Sequence, residues 1–440
     1  MSELQVGLLV AGVTVAVLLT GAPVAFSLGA VAVGFLLAFD GLGALSIVPD
    51  VLYGGLDNFA LLSIPMFILM GGSIASSRAG ADLYEALDRW LYRVPGGLMI
   101  SNIGACAIFA ALSGSSPATC AAIGKMGVPE MRKRGYPAGI ATGSIAAGGT
   151  LGILIPPSIT MIVYGIATET SIGRLFIAGL LPGVMLTGLF IAWGLYAAAR
   201  RGYRFGAGSA VARFTLRERL AVLPKVGPFL AIIAGILWVL YGGVATPSEA
   251  AGVGALFSVA LVIVIYRMVR PAELWRILRA ALGESVMILT IIAAAALFSY
   301  MLSSLFITQS LAAWIGELDV NRWVLMAYIN LFLLVAGFFL PPVAVILMTA
   351  PTLVPIIEAA NFDAIWFAVV LTINMEIGLI TPPVGLNLYV INGIAPDVRL
   401  QTILWGALPF MLCMVLGIVL LSIFPQIALW LPNAMMGRAL

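Results

Sequence analysis

Histidine is absent from the 440 residues, and the three cysteines, Cys106, Cys120 and Cys413, are scattered through apolar stretches. A zinc site needs clustered nitrogen or thiolate ligands, so none is expected, and each cysteine reads as a small apolar core residue. Serine and aspartate without histidine give no catalytic triad. No G-x-x-x-x-G-K-[ST] phosphate loop occurs, so ATP hydrolysis by the usual route is excluded and no enzyme activity is expected. Charge is scarce as well. Only 9% of residues are charged, against about 25% in a soluble domain that must face water. A basic leader followed by a cleavage site is also missing, so the first apolar stretch reads as a retained helix.

Apolar residues fill the gap, at 62% of the chain, with a mean hydropathy of +1.13. A hydrocarbon core of ~30 Å takes about 20 apolar residues per helix, so the chain is long enough to cross it many times. The 48 glycines and 24 prolines are tolerated in membrane helices and punishing in soluble ones. The expected class is an all-α integral membrane protein. Ten crossings are expected at residues 4–20, 24–39, 58–77, 138–167, 175–199, 226–244, 250–266, 285–304, 364–394 and 403–431. Two further apolar segments, 98–135 and 324–358, are each interrupted near the middle. If each enters and leaves on one side, 19 of the 22 lysines and arginines fall on a single face. That face holds Arg78, Arg89, Arg93, Lys125, Arg132, Lys133, Arg134, the 200–225 loop, Arg267, Arg270, Arg276, Arg279 and Arg399. The other face carries Asp40, Asp50, Glu169, Glu249, Glu317, Asp319 and Asp363, with Arg174, Arg322 and Arg438. The positive-inside rule then puts both termini outside the cytoplasm. Counting either interrupted segment as a full crossing spoils the partition.

The chain also repeats itself. Gly152-Ile153-Leu154-Ile155-Pro156-Pro157 returns as Gly378-Leu379-Ile380-Thr381-Pro382-Pro383, and Val128-Pro129 as Val354-Pro355, at the same spacing. Each half has five crossings, an odd number, so the second enters the membrane upside down, as in many secondary transporters. The expected organisation is a first inverted repeat, 1–205, with re-entrant hairpin 96–135 and broken helix 138–167. A basic cytoplasmic loop, 206–225, follows. The second repeat is 226–440, with hairpin 322–358 and broken helix 364–394.

Paired prolines in mid-helix remove donors and clash with the preceding turn, so the helix unwinds there. Unwound backbone at membrane depth lasts only where it is buried in protein or lines a wet cavity. Its free carbonyls suit a hard cation. Ser113-Gly114-Ser115-Ser116-Pro117-Ala118-Thr119 places hydroxyls and a flexible turn in the first hairpin, and Gly337-Phe338-Phe339-Leu340-Pro341-Pro342 turns the second. One tip and one break per half is the arrangement for one cation site apiece. Small hydroxyl-bearing residues also serve close helix packing, but here they coincide with the breaks and recur. Glu376, one turn before the second break, is an intramembrane carboxylate and a candidate for coupling, through the second ion site or a proton, or for a structural pairing within the bundle. Residues 82–91 are amphipathic and read as an interfacial arm under the first hairpin, and 271–282 as a similar one. The 200–225 loop reads as a topology signal, with anionic lipid as a second possibility; nucleic acid is excluded as a partner.

These residues carry a resemblance. The 113–119 run, Val128-Pro129-Glu130-Met131-Arg132-Lys133-Arg134-Gly135-Tyr136, Gly149-Thr150-Leu151-Gly152-Ile153-Leu154-Ile155-Pro156-Pro157-Ser158 and Gly378-Leu379-Ile380-Thr381-Pro382-Pro383-Val384-Gly385-Leu386-Asn387 together resemble the large, DctM-type membrane subunit of the tripartite ATP-independent periplasmic (TRAP) transporters. The resemblance covers essentially the whole chain. It implies an elevator-type permease of the ion-transporter superfamily in the bacterial inner membrane, driven by Na⁺ and not ATP. Its partners would be a small four-helix membrane subunit and a soluble periplasmic binding protein that delivers an organic acid or similar small solute. By the same resemblance the first sodium site uses Ser113, Gly114, Ser115, Ser116, Thr119, Gly152, Pro156 and Ser158. The second uses Gly337, Gly378, Thr381 and Val384. Pro157, Pro342, Thr349, Pro383 and Asn387, beside tips and breaks, are candidates for the substrate cleft. Pro341 departs from the family pattern, which often has an acid or amide there.

Other readings remain. A self-sufficient Na⁺- or H⁺-coupled carboxylate symporter of the same superfamily would transport without a binding protein. A membrane-embedded enzyme would need convergent acid, base or metal ligands, which the lack of histidine disfavours. A channel would neither saturate nor require an ion gradient.

Overall fold

A computed structural model describes residues 2–91, 94, 96–200, 214–317 and 320–437. The stretch 201–213, which carries the boundary between the first repeat and the basic loop, lies outside the described residues, as do Arg93, Asp319 and Arg438. Among the described residues the secondary structure is helical, without strands. Among the described residues eight helices are long and apolar enough to cross a membrane, Ile172–Ala197 and Leu400–Ile423 among them. Shorter apolar helices, including Gly97–Ser113, Ala138–Ile153 and Ala364–Leu379, fill the centre. The chain is a multi-pass membrane protein, and its outer helices show it: Leu8, Trp238, Phe257, Val264 and Trp405 are exposed apolar side chains on surfaces that hydrocarbon would cover.

The helices sort into two packed groups. In one, Val24–Phe39, Ser63–Ser76, Leu223–Tyr241, Pro247–Tyr266 and Pro271–Ser304 lie against each other. In the other, two helical hairpins surround two broken helices, closed by Ile172–Arg200 and Leu400–Ile423. Burial separates the groups. Every residue from Ile365 to Leu379 is buried, as befits a helix apolar on all faces. Glycines set the closest approach: Gly139 and Gly143 lie directly on Gly406 of the 400–423 helix, the small-residue packing that lets membrane helices meet without a hydrophobic driving force.

The local sequence explains the breaks. Ala138–Thr150 tightens into a 3₁₀ turn, Leu151–Ile153, and stops before Pro156-Pro157. Ser158 restarts the chain. Its Oγ accepts from the Met161 amide at 3.3 Å, capping Ile159–Ala167, and donates to the Ile153 carbonyl. The second broken helix starts on Asp363, whose Oδ1 accepts from Ile365 and Trp366 at 2.7 and 3.0 Å. It ends at Leu379, and Gly385, in the left-handed region, begins Leu386–Ile394. The Pro156-Pro157 and Pro382-Pro383 bonds are cis.

The first hairpin is Gly97–Ser113 and Ser116–Lys133, turned by Gly114 at φ 59°. The second is Arg322–Phe339 and Pro342–Ala359, turned at Leu340-Pro341. The helix Ala79–Leu91 leads into the first hairpin. It is pinned by Asp88 to Arg134 at 2.8 Å, by Asp82 to the Tyr266 hydroxyl at 2.7 Å and by Glu85 to Lys225 at 3.2 Å. Burial raises the Glu85 carboxyl, but Lys225 and Arg89 outweigh it and hold the group below the usual carboxylate range.

Two expectations need correcting. Residues 271–282 do not form a separate interfacial arm: they are the start of one 34-residue helix, Pro271–Ser304. The amphipathic pattern there reflects an exposed helix end, with no proline or cap to stop it at Gly283. The helix that leads into the second hairpin as Ala79–Leu91 leads into the first is Ile307–Glu317. The expected crossing at 403–431 is two helices, Leu400–Ile423 and Gln426–Met436, divided at Pro425.

Candidate functional site

The first hairpin tip and the first break meet backbone to backbone. A Cβ on Gly152 would lie 2.6 Å from the Ser115 carbonyl oxygen, and one on Gly114 2.8 Å from the Pro157 carbonyl oxygen. Only glycine allows that approach. Around the contact the hydroxyls are ordered. Ser113 Oγ and Thr119 Oγ1 are 2.7 Å apart, and Thr119 Oγ1 donates to the Ser115 carbonyl at 2.9 Å. Ser113, Ser116, Thr119, Pro156, Pro157 and Ser158 are all buried, and Ser115 is half-buried. The structure thus sets the tip, Ser113 to Thr119, against the break that runs from Gly152 to Ser158, in one buried junction with several carbonyl and hydroxyl oxygens.

A second junction has the same plan with less around it. Gly378 lies on the Gly337 carbonyl, where a Cβ would stand 2.5 Å away. Gly337 is not in the turn; it sits inside Arg322–Phe339, near its end. Thr381 Oγ1 donates to the Ile377 carbonyl at 2.6 Å, which leaves its lone pairs available. The surroundings differ: Pro382, Pro383 and Val384 are exposed where Pro156, Pro157 and Ser158 are buried. A cavity of about 220 Å³ lies beside them, bounded by Leu388, Leu400 and Leu404.

Not every expected residue converges. Thr349 sits two turns into the Pro342–Ala359 helix and spends its hydroxyl on the Val345 carbonyl at 2.7 Å. Pro342 opens that helix, half-buried. Asn387 turns inward, is wholly buried and donates to the Ala146 carbonyl at 3.3 Å. It therefore braces the second broken helix against the first.

Glu376 behaves unlike its place in the sequence. It does not address the second break. Its Oε1 accepts from Ser116 Oγ at 2.7 Å and from the Ile153 amide at 3.3 Å, so the carboxyl belongs to the first junction. Glu376 is buried, and its Oε2 has no hydrogen-bond partner among the described residues. No Lys or Arg lies within ion-pair distance among those residues. The side chain joins three elements: the first hairpin, the first break and the second broken helix.

Sequence reasoning missed the asparagine pair, Asn374 and Asn330. Asn374 Nδ2 donates to both the carbonyl and the Oδ1 of Asn330 at 2.9 Å, joining the second broken helix to the second hairpin. It also missed Tyr164, whose hydroxyl donates to the Ala364 carbonyl at 2.8 Å and ties the two broken helices together. The available signal was an amide or phenol inside an otherwise apolar membrane helix, which usually has a partner.

The description "Tripartite ATP-independent periplasmic transporter, DctM component" fits a family model that matches residues 11–427. The chain is 40% identical to a C4-dicarboxylate TRAP transporter large permease protein of Pseudomonas aeruginosa, over 86% of this chain and 87% of that one. It is 30% identical to a sialic acid TRAP transporter large permease protein of Vibrio cholerae, over 98% and 97%. Among solved structures, the YdaH transporter of Alcanivorax borkumensis superposes with a TM-score of 0.64, covering 92% of this chain and 91% of that one. At 16% identity that likeness concerns the fold alone.

Proposed function

The chain belongs to the DctM family of tripartite ATP-independent periplasmic transporters, and from that premise we propose that it is the large permease of a Na⁺-coupled, elevator-type importer of an organic acid. The observation that carries the reading is the pair of backbone junctions, Gly152 on Ser115 and Gly378 on Gly337, each setting a helical hairpin against a broken helix beside its break. Two junctions of carbonyl and hydroxyl oxygens supply two cation sites, and their near-equal spacing along the chain supports inverted repeats at 1–205 and 226–440. The hairpins and broken helices form the moving body; the other packed group forms the scaffold. Both termini face the periplasm, and the solute arrives from a periplasmic binding protein with the help of a small membrane subunit.

Cation binding at a junction draws the tip onto the break, so the moving body crosses the membrane only when closed around its ions. Moving one elementary charge down 100 mV releases ~2.3 kcal/mol, enough for roughly 40-fold accumulation of solute, and the Na⁺ gradient adds to it. The test is uptake into proteoliposomes that hold this chain and its small subunit, with binding protein outside. Uptake is expected to require an inward Na⁺ gradient and the binding protein. Uptake without Na⁺ would refute the coupling, and uptake without any binding protein would favour the self-sufficient symporter.

A further inference from the structure

Two adjoining cavities of about 300 and 570 Å³ run between the hairpin bundle and the other helix group, sharing Gly72, Ser76 and Arg276 in their walls. Their sizes fall in the ~300–1,000 Å³ range of small-molecule sites. The inner cavity reaches the first hairpin tip at Ser113, Ser115 and Ala118. The outer one ends on the arginine-rich face at Arg78 and Lys125. The charged lining is three cations, Arg78, Lys125 and Arg276, against one carboxylate, Glu284.

Positive-inside topology alone would put basic residues on this face and would not care what they touch. The ion pairs make a distinction. Arg89, Arg132, Lys133, Arg134 and Lys225 each hold a carboxylate within 4 Å. Among the described residues, none of the three cavity cations has an acidic partner within that distance. Arg276 stands where the two cavities join, exposed to both, and a guanidinium there offers paired donors that match a carboxylate. Ser115 and Ala118 lie at the start of the 18-residue helix Ser116–Lys133, an end that also favours negative charge.

We propose that this cleft is the cytoplasmic release site of the transported solute, and that Arg276 holds a carboxylate of that solute there before it leaves. The ligand class is a small organic mono- or dicarboxylate. The inference rests on the transport reading above and adds the residue and the side of the membrane. Because Arg276 acts from the cytoplasmic side, its loss affects binding from that side and spares delivery from the other.

The experiment uses the reconstituted complex loaded with radiolabelled succinate or sialic acid, comparing wild type, Arg276→Gln and Arg276→Lys. In Arg276→Gln the half-saturating internal concentration for efflux is expected to rise about tenfold or more, the scale of a lost charge-assisted hydrogen bond. The half-saturating external concentration should change less than about twofold on that same scale, with Arg276→Lys in between. Equal effects on both sides, or none, would overturn the proposal. Should Arg276→Gln fail to fold, the same readout in Arg276→Lys decides it: an unchanged internal half-saturation there overturns it. If the wild-type complex moves neither solute, the organic-acid reading and this inference fall together; transport with no sidedness sinks only the inference.

Discussion

Replacing Gly152 by alanine puts a methyl group 2.6 Å from the carbonyl oxygen of Ser115 and 2.8 Å from the amide nitrogen of Ser116. Both neighbours are backbone, so neither can rotate away as a side-chain end would. The hairpin tip and the break must separate by roughly 0.8 Å before ordinary contact distance is restored. Overpacking of this kind costs about 1–3 kcal/mol. The strain applies to the closed junction and not to an opened one, so it is drawn from the affinity for the ion. That corresponds to roughly 5- to 150-fold weaker Na⁺ binding at the first site. Gly12→Ala and Gly34→Ala are the controls, because a Cβ at either position meets nothing within 4 Å. The assay is the Na⁺-dependent rise in thermal midpoint of purified protein, with the Na⁺ concentration for half-maximal uptake beside it. Both should shift in Gly152→Ala and in neither control. A Gly152→Ala protein with wild-type Na⁺ dependence would refute a cation site at this junction.

Gly378→Ala should act likewise at the second junction, where the clash is with the Gly337 carbonyl at 2.5 Å; a double variant with Gly152→Ala should need more Na⁺ for the same stabilisation than either single variant in the same melting assay. Glu376→Ala takes the acceptor from the Ile153 amide and leaves the Ser116 hydroxyl only the Thr150 carbonyl at 3.4 Å, a loss of about 1–3 kcal/mol in unfolding free energy, while Glu376→Gln keeps an acceptor oxygen and should lose less in denaturant titrations. Tyr164→Phe removes one bond to the Ala364 carbonyl and should cost about 1 kcal/mol by the same measurement. Arg132 reaches Asp397 at 2.6 Å, and its hydrogen bond and charge hold that carboxyl below its ordinary range. A lowered carboxylate contributes above its unfolded pKa of ~3.9 and fades only as pH falls through the lowered value. Uptake measured between pH 6 and 8 should therefore follow the same pH profile in wild type and Asp397→Asn.

Much of this arrangement is legible in the sequence because its signals are local. Pro156-Pro157 and Pro382-Pro383 stop helices wherever they occur, and Gly114 between serines turns a hairpin without reference to distant residues. Pro425 was an equally local signal, and reading straight through it merged two helices. The stretch 271–282 misled for a different reason: an amphipathic pattern reports which face is wet, not where the helix ends. Long-range partners were not legible at all. Glu376 is adjacent in sequence to the second break, yet its acceptor role is toward Ser116, 260 residues earlier. Nothing in composition or period encodes that pairing, which depends on the second broken helix packing alongside the first.

That pairing also bears on how the two halves differ. An inverted repeat made only of equal junctions would give two equivalent sites. Here the first break is buried, crossed by the Ser158 hydroxyl and held by a carboxylate from the opposite half, while the second leaves Pro382, Pro383 and Val384 exposed. Burial and the bonds that cross the first break hold it more firmly in one geometry; an exposed break with few bonds is free to rearrange at lower cost. The two proposed sites should therefore differ in kind. The first should open at the higher cost, and the second should rearrange more readily around its ion. Because Glu376 lies two residues before Gly378 on one helix, any closure of the second junction that displaces this helix would also displace the carboxylate that braces the first. In that scheme, occupancy of one proposed site should shift the affinity of the other without any contact between the ions.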